Sequence, residues 1–289
     1  MTSNNIVTSN EEWDTIIRPQ RAWWDLRLGE LWRYRGLIGL WVRRDFVATH
    51  MQTVLGPAWY LFSPIFGSLL NMLFFNKIAR ISTGDVPPML FYLPGMMVWG
   101  YFTTCLYGSA AILLANAGLF GKVYFPRLIM PLSTMASALI SLALQAISFI
   151  GIAVFFAWQG FDIHLTPWVL ALPFYTLLAG FMGVGIGLIF ASLTTRYRDL
   201  QHLIAPGLTL VNYATPIVYP ITFVPDFMRP FVFLNPMVPI VEGYRYSMLG
   251  SGTAPNLVQF LYAVVFTLVF LMIGVVLFNH AQNTAVDTV

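Results

Sequence analysis

From Val54 to Phe75 the chain runs for 22 residues without a charged side chain, and comparable runs recur to within a few residues of its end. A helix needs roughly 20 apolar residues to cross the hydrocarbon core of a bilayer. A backbone in hydrocarbon must also satisfy its own N–H and C=O groups, which leaves helices as the spanning form for such runs. Composition agrees. Hydrophobic residues are 58% of the chain and charged residues 9%, whereas a soluble domain averages about 25% charged. With a mean hydropathy of +0.72, the chain reads as an all-α integral membrane protein that crosses several times.

Six transmembrane helices are expected, near 54–75, 87–114, 132–158, 167–193, 203–219 and 257–278. An even number puts both termini on one side, and lysine and arginine choose the side. With the N-terminus in the cytoplasm, Arg18, Arg21, Arg27, Arg33, Arg35, Arg43, Arg44, Lys122, Arg127, Arg196 and Arg198 are cytoplasmic. Lys77, Arg80, Arg229 and Arg245 then complete the 15 basic residues on the other side. The pI near 9.0 therefore reflects charge at a membrane surface, and no nucleic-acid partner is expected. The expected organisation is a cytoplasmic N-terminal segment over 1–53, a six-span domain over 54–280 and a cytoplasmic tail over 281–289. The first 35 residues hold no apolar run followed by a small-residue cleavage site, so the first span is expected to serve as the targeting signal.

Two stretches depart from plain spans. The N-terminal segment carries Trp13, Trp23, Trp24, Trp32 and Trp41 among arginines. Its apolar residues recur at helical spacing (Trp24, Leu28, Leu31, Trp32, then Leu37, Leu40, Trp41), which suits an amphipathic helix lying in the membrane interface. The chain is then expected to turn inward at Gly56-Pro57. Between the last two spans, about 221–250, a hydrophobic stretch is cut by Pro225, Pro230, Pro236 and Pro239 and carries Asp226, Arg229, Glu242 and Arg245. Each proline frees carbonyls that need other partners, and irregular backbone at membrane depth survives only where protein or water covers it. The stretch reads as broken re-entrant helices dipping in from outside, with a simple external loop as the alternative. Glu242 and Arg245 lie three apart on a helical face.

No catalytic constellation is visible. His50, His164, His202 and His280 fall on different loops, and the single cysteine, Cys105, sits in an apolar run where packing is its ordinary role. No metal site is expected. The nearest approach to a phosphate loop, "GLFGKVY" from Gly118 to Tyr124, has the wrong glycine spacing and Val123 where a Ser or Thr would hold magnesium. The chain is thus not expected to hydrolyse ATP or bind a cofactor itself. Its spans also lack the acidic or histidine residues that an ion-coupled carrier places near the bilayer midplane. The neutral Asn71, Asn116, Gln145 and Asn212 suit interhelical hydrogen bonds.

Five stretches in order, "RRDFVATHMQTVLGPAWYLFSPI", "GKVYFPRLIMPLSTMASALISL", "TTRYRDLQHLI", "TPIVYPITFVP" and "LNPMVPIVEGYRYSMLG", together resemble the membrane (permease) subunit of ABC-2-type polysaccharide exporters. That family moves O-antigens, capsular polysaccharides and wall teichoic acids, and the resemblance covers about 43–278. It implies a homodimer in the bacterial cytoplasmic (inner) membrane. It also implies two copies of a separate ATP-binding subunit, which would hold Mg-ATP, and a polyprenyl-diphosphate-linked polysaccharide as cargo. O-antigen is preferred on the overall look of the motifs.

The resemblance suggests roles by position. The loop bearing Gly121, Lys122, Tyr124, Phe125, Pro126 and Arg127 corresponds to the family's element coupling to the ATPase, with an ordinary positively charged loop as the alternative. Arg196 and Arg198 form a further candidate contact. Arg43 and Arg44, at headgroup depth, are candidates for the carrier's diphosphate, since arginine binds such anions in bidentate fashion; plain headgroup contact is the other reading. Asp226, Arg229, Glu242 and Arg245 fall in the family's external gate. Sugar rings pack on aromatic planes, so Trp59, Tyr60, Phe62, Tyr92, Trp99, Tyr101 and Tyr213 are candidates for a glycan channel. A membrane scaffold or a secondary carrier working without an ATPase is the competing class.

Overall fold

The computed structural model describes residues 28–50, 53–116, 118, 125–162, 166–250 and 252–286. The described residues form helices and turns with no strand, as expected for an all-α membrane protein. Two N-terminal helices, α1 (Leu28–Arg33) and α2 (Arg35–His50), precede α3 (Trp59–Asn71), α4 (Pro88–Ala115), α5 (Ile129–Trp158) and α6 (Leu172–Thr194). Then follow α7 (Leu200–Tyr213), two shorter helices α8 (Arg229–Phe233) and α9 (Met237–Leu249), and α10 (Leu257–Val286).

Proline and glycine set many of the boundaries. The turn into α3 falls where expected. Gly56 takes φ +50°, the Pro57 ring follows in the first turn, and a 3-10 turn over Gly56–Ala58 leads straight into the helix. At its far end α3 widens into a π-helical stretch, Met72–Ile78. Pro87 is extended and Pro88 opens α4, where a missing N–H costs nothing. Gly250, at φ 66°, ends α9 in the left-handed conformation that glycine adopts without strain.

Among the described residues, five helical stretches are long and apolar enough to cross a membrane: Gly56–Ile78, Pro88–Ala115, Ile129–Trp158, Pro167–Thr194 and Leu257–Ala281. The stretch expected as a span over 203–219 behaves differently. Its helix is the 14-residue α7, about 21 Å long at about 1.5 Å per residue, against a hydrocarbon core of about 30 Å. It stops because Pro216 disfavours helical backbone at Thr215 and Pro220 withholds a further N–H.

At the centre, α4 and α6 lie side by side and parallel. A Cβ on Gly183 would fall 2.5 Å from the Phe102 carbonyl oxygen, and one on Gly187 2.5 Å from that of Leu106. The opposite side of α6 meets α10, where Gly185 faces the Leu271 backbone and Gly274 faces the Gly185 carbonyl. Small residues at this spacing let helix backbones approach, the usual means of packing helices in lipid. Tyr175 meets Phe260 edge to face near the start of both helices, so α4, α6 and α10 all run in one direction. The chain must therefore return from the end of α6 to the start of α10, and α7 with the irregular stretch after it makes that return.

Helix α5 packs on α4, and α3 leans on both. The Ser148 hydroxyl donates to the Leu61 carbonyl (3.0 Å), and Asn71 donates to the Met96 sulfur (3.2 Å). The outer sides of α3, α5 and α10 expose rows of large apolar residues, among them Phe66, Leu70, Ile150, Val154, Val265 and Met272. Water would not tolerate such rows, whereas lipid or another apolar protein surface does.

Candidate functional site

Two parts of the broken stretch from Thr215 to Gly250 lie inside the bundle, the turn Thr215 to Val218 and helix α9, while many of the residues between them are exposed. Helix α9 is buried along nearly its whole length, against α4, α6, α10 and the 3-10 turn Pro167–Ala171. These are the regions where α4 and α6 begin, which places α9 at the end of the bundle where α3 finishes. Helix α9 is thus covered by protein, and the carbonyl that Pro220 leaves free at Pro216 finds another partner.

Arg245 supplies that partner and binds two further carbonyls. It is 1% exposed. Its Nη1 meets the Glu242 Oε1 at 2.5 Å, and Nη2 donates to the carbonyls of Pro216 (2.8 Å) and Ile217 (3.1 Å). Nε donates to the Phe91 carbonyl on α4 (3.2 Å), and the guanidinium carbon lies 3.9 Å from the centre of the Phe91 ring. Pro220 has no N–H to offer the Pro216 carbonyl, so the arginine takes that place. A buried charge is tolerable when paired and fully hydrogen-bonded, and a planar fork of five donors suits three carbonyls and a carboxylate at once.

Asn235 makes a second knot. Its amide donates to the Thr215 hydroxyl (2.7 Å), and its oxygen accepts from the backbone N–H of Met237 as α9 begins (3.0 Å). Thr215 in turn donates to the Val211 carbonyl at the end of α7 (2.6 Å). The Tyr262 hydroxyl ties in α10 by donating to the Leu234 carbonyl (2.7 Å).

Asp226 and Arg229 do not join this cluster. They pair with one another at 2.8 Å ahead of and within α8, with the carboxylate side chain 89% exposed. An exposed pair of this kind contributes little. Around it Phe223, Phe227, Met228, Phe231 and Leu234 are all exposed. The four residues grouped as an external gate thus divide into a buried structural pair and a surface pair.

The opposite end of the bundle gathers the other candidates. There α2 lies against α5, and its Trp41 ring sits 6.3 Å from that of Phe125, which is buried just before α5. Pro126 and Arg127 are half-buried beside it, whereas Gly121, Lys122 and Tyr124 lie outside the described residues. Arg196 and Arg198 are exposed in the turn between α6 and α7. Because α4 and α6 are parallel, this turn and the Phe125 region share one end of the molecule. Arg44 is engaged on its own helix, at 2.7 Å from Asp45 and 3.6 Å from the centre of the Trp41 ring; Arg43 beside it is exposed. Trp13, Trp23 and Trp24 fall outside the described residues.

The aromatic candidates separate in the same way. Trp59, Phe62 and Tyr213 are exposed, Tyr60 and Trp99 half-buried, and Tyr92 and Tyr101 buried in the core. Tyr101 reaches Gly180 on α6, so it fills space between helices and faces no open surface. Two features escaped the sequence reading. The glycine face of α6, "GFMGVGIG", was detectable from its Gly183-x-x-x-Gly187 spacing in an apolar run. The carbonyls that Arg245 collects, by contrast, leave no mark in sequence.

Comparison with known proteins matches residues 37–249 to the family model described as ABC-2 type transporter. An "O-antigen export system permease protein RfbA" of Myxococcus xanthus is 30% identical over 75% of this chain and 81% of its own length. One of the same name from Klebsiella pneumoniae is 24% identical over 83% of this chain and 89% of its own. A "Polysialic acid transport protein KpsM" of Escherichia coli is 26% identical over 79% and 87%.

Proposed function

The chain belongs to the ABC-2 type transporter family, and on that premise we propose that it is the transmembrane subunit of an ATP-driven exporter of lipid-linked polysaccharide, most directly O-antigen. The observation that carries the cargo is the 30% identity to an O-antigen export permease, spread over three-quarters of the chain. The likeness to a polysialic acid transport protein supports capsular polysaccharide as the second reading.

The chain is a multi-pass membrane permease. ATP hydrolysis is assigned to a separate ATP-binding subunit, two copies of which serve a homodimer of this chain. Both termini are assigned to the cytoplasm, in keeping with the clustering of arginines on α2 and at Arg196 and Arg198. The surface that receives the ATPase is then built from α2, the Phe125–Arg127 region and that turn. Trp41 against Phe125 makes the first two a joined unit seated on α5, so a push on either reaches α5 and, through the Gly56 turn, α3. At the far end α9 and its knots close the bundle. The exposed Trp59 and Phe62 on α3, with Tyr213 at the end of α7, are the aromatic residues best placed to meet sugar rings at a surface between protomers.

Deletion of the gene in its host tests the cargo. The account expects lipopolysaccharide lacking O-antigen at the cell surface and polyprenyl-diphosphate-linked O-antigen accumulating inside, both reversed by a plasmid copy. Intact O-antigen with loss of capsule would transfer the assignment to the second reading, and no change in either glycan would defeat both.

A further inference from the structure

Helix α7 is buried at Ile204 alone, and Leu203, Leu210, Val211 and Tyr213 are all exposed. Yet the turn that follows it, Thr215 to Val218, is buried at every position. A helix that touches the core only through Ile204 and Leu208 and is firmly fixed at its far end has the form of an arm on a pivot. The fixing is done from α9 and the residue pair just ahead of it: the two Arg245 Nη2 hydrogen bonds to Pro216 and Ile217, and the Asn235 bond to Thr215. On its other edge the same guanidinium holds Phe91 of α4. Helix α4 makes room for this at Gly95, where a Cβ would come within 3.3 Å of both the Arg245 Nη2 and the Ile217 Cγ2.

We infer that Arg245 is a positioning residue for transport: it clamps the turn after α7 to α4 and α9, making residues 215–218 a stationary pivot for the sparsely packed α7. Lysine could neutralise Glu242 there but could not span carbonyls on two elements, because an ammonium is a point charge without a planar fork. The inference depends on the exporter reading only for what a moving α7 accomplishes. The clamp itself is a property of this chain.

The experiment uses the full-length permease with its ATP-binding partner in lipid nanodiscs. A single reporter cysteine replaces Val218, which is 6% exposed, in a Cys105→Ser background, and its reaction with a membrane-impermeant maleimide is timed. With Arg245 present the reporter reacts slowly. Arg245→Gln is expected to speed labelling at least tenfold, and Arg245→Lys by an intermediate factor. In a parallel protein that keeps Val218 and the native Cys105, itself 0% exposed between α4 and α6, Arg245→Gln is expected to leave the thiol protected. Export per ATP hydrolysed should also fall at least fivefold in Arg245→Gln.

A reporter that stays protected in Arg245→Gln overturns the clamp. Cys105 becoming reactive alongside Val218→Cys also overturns it, since Arg245 would then support the whole fold and not a local pivot. If Arg245→Gln does not reach the membrane, Arg245→Lys decides, and unchanged labelling there counts against the inference. Failure of the exporter reading is recognised separately, as absence of ATP-dependent export by the unsubstituted complex while the labelling pattern stands.

Discussion

Gly183→Ala puts the packing account at its most exposed point. The added methyl carbon would lie 2.5 Å from the Phe102 carbonyl oxygen, 3.0 Å from the Cys105 Cβ and 3.2 Å from the Leu106 nitrogen. Two of the three neighbours are backbone atoms of α4, so no side-chain rotation relieves the contact. Carbon and oxygen rest at about 3.3 Å even in weakly attractive contacts, so α4 and α6 must separate by roughly 0.8 Å. The gain in helix propensity from glycine to alanine is about 0.5–1 kcal/mol. Overpacking a fitted interior costs about 1–3 kcal/mol, and a gap approaching 1 Å forfeits a quarter to a half of each dispersion contact along the seam. The net expectation is a loss of about 1–2 kcal/mol. Gly151→Ala on the exposed side of α5, where nothing lies within 4 Å, should keep the propensity gain and prove neutral or slightly stabilising. Reversible unfolding of both variants in mixed micelles, titrated with denaturing detergent, gives the comparison. Equal midpoints for Gly183→Ala and Gly151→Ala would refute the close approach of α4 and α6.

Asn235→Ala removes the bonds to Thr215 and Met237 and leaves a buried hydroxyl short of a donor. A loss of about 1–3 kcal/mol is expected, read in the same titration, and an unchanged midpoint would count against the second knot. Asp226→Asn breaks an exposed pair and should shift stability by less than about 1 kcal/mol; a larger loss would mean that the pair is covered in the assembled protein. Gly56→Leu with Pro57→Ala forces a left-handed position onto a residue with a Cβ, at a cost of about 1–2 kcal/mol, and loosens the entry to α3. The complex should still hydrolyse ATP while export drops severalfold, and normal export by a stably inserted double variant would refute the role given to that turn.

The long helices were legible because charge is so sparse that each uncharged run announces itself, and the Gly56 turn because glycine and proline act locally. The span expected at 203–219 was overextended for a related reason. Val218 and Tyr219 are as apolar as a span requires, and hydropathy does not register what Pro216 and Pro220 do to the backbone. The Glu242–Arg245 pair was visible as a three-residue spacing. Its purpose was not, because Phe91 lies 154 positions away in the chain and offers a carbonyl, a group common to every residue. Tyr92 and Tyr101 were grouped with surface aromatics because α4 is apolar on every side, so no periodicity tells its lipid face from its core face. Arg44, a candidate for the carrier's diphosphate, carries no sign in sequence spacing that Asp45 and Trp41 engage it on its own helix.

The central claim is that this permease works with an ATPase it does not contain. The most direct measurement is purification of the chain from its own host in mild detergent, followed by reconstitution of whatever accompanies it. The account predicts a stoichiometric ATP-binding subunit whose hydrolysis rate changes on binding the permease, and ATP-dependent movement of lipid-linked polysaccharide across the vesicle membrane. Recovery of the permease without an ATPase, with polysaccharide crossing regardless of ATP, would contradict it.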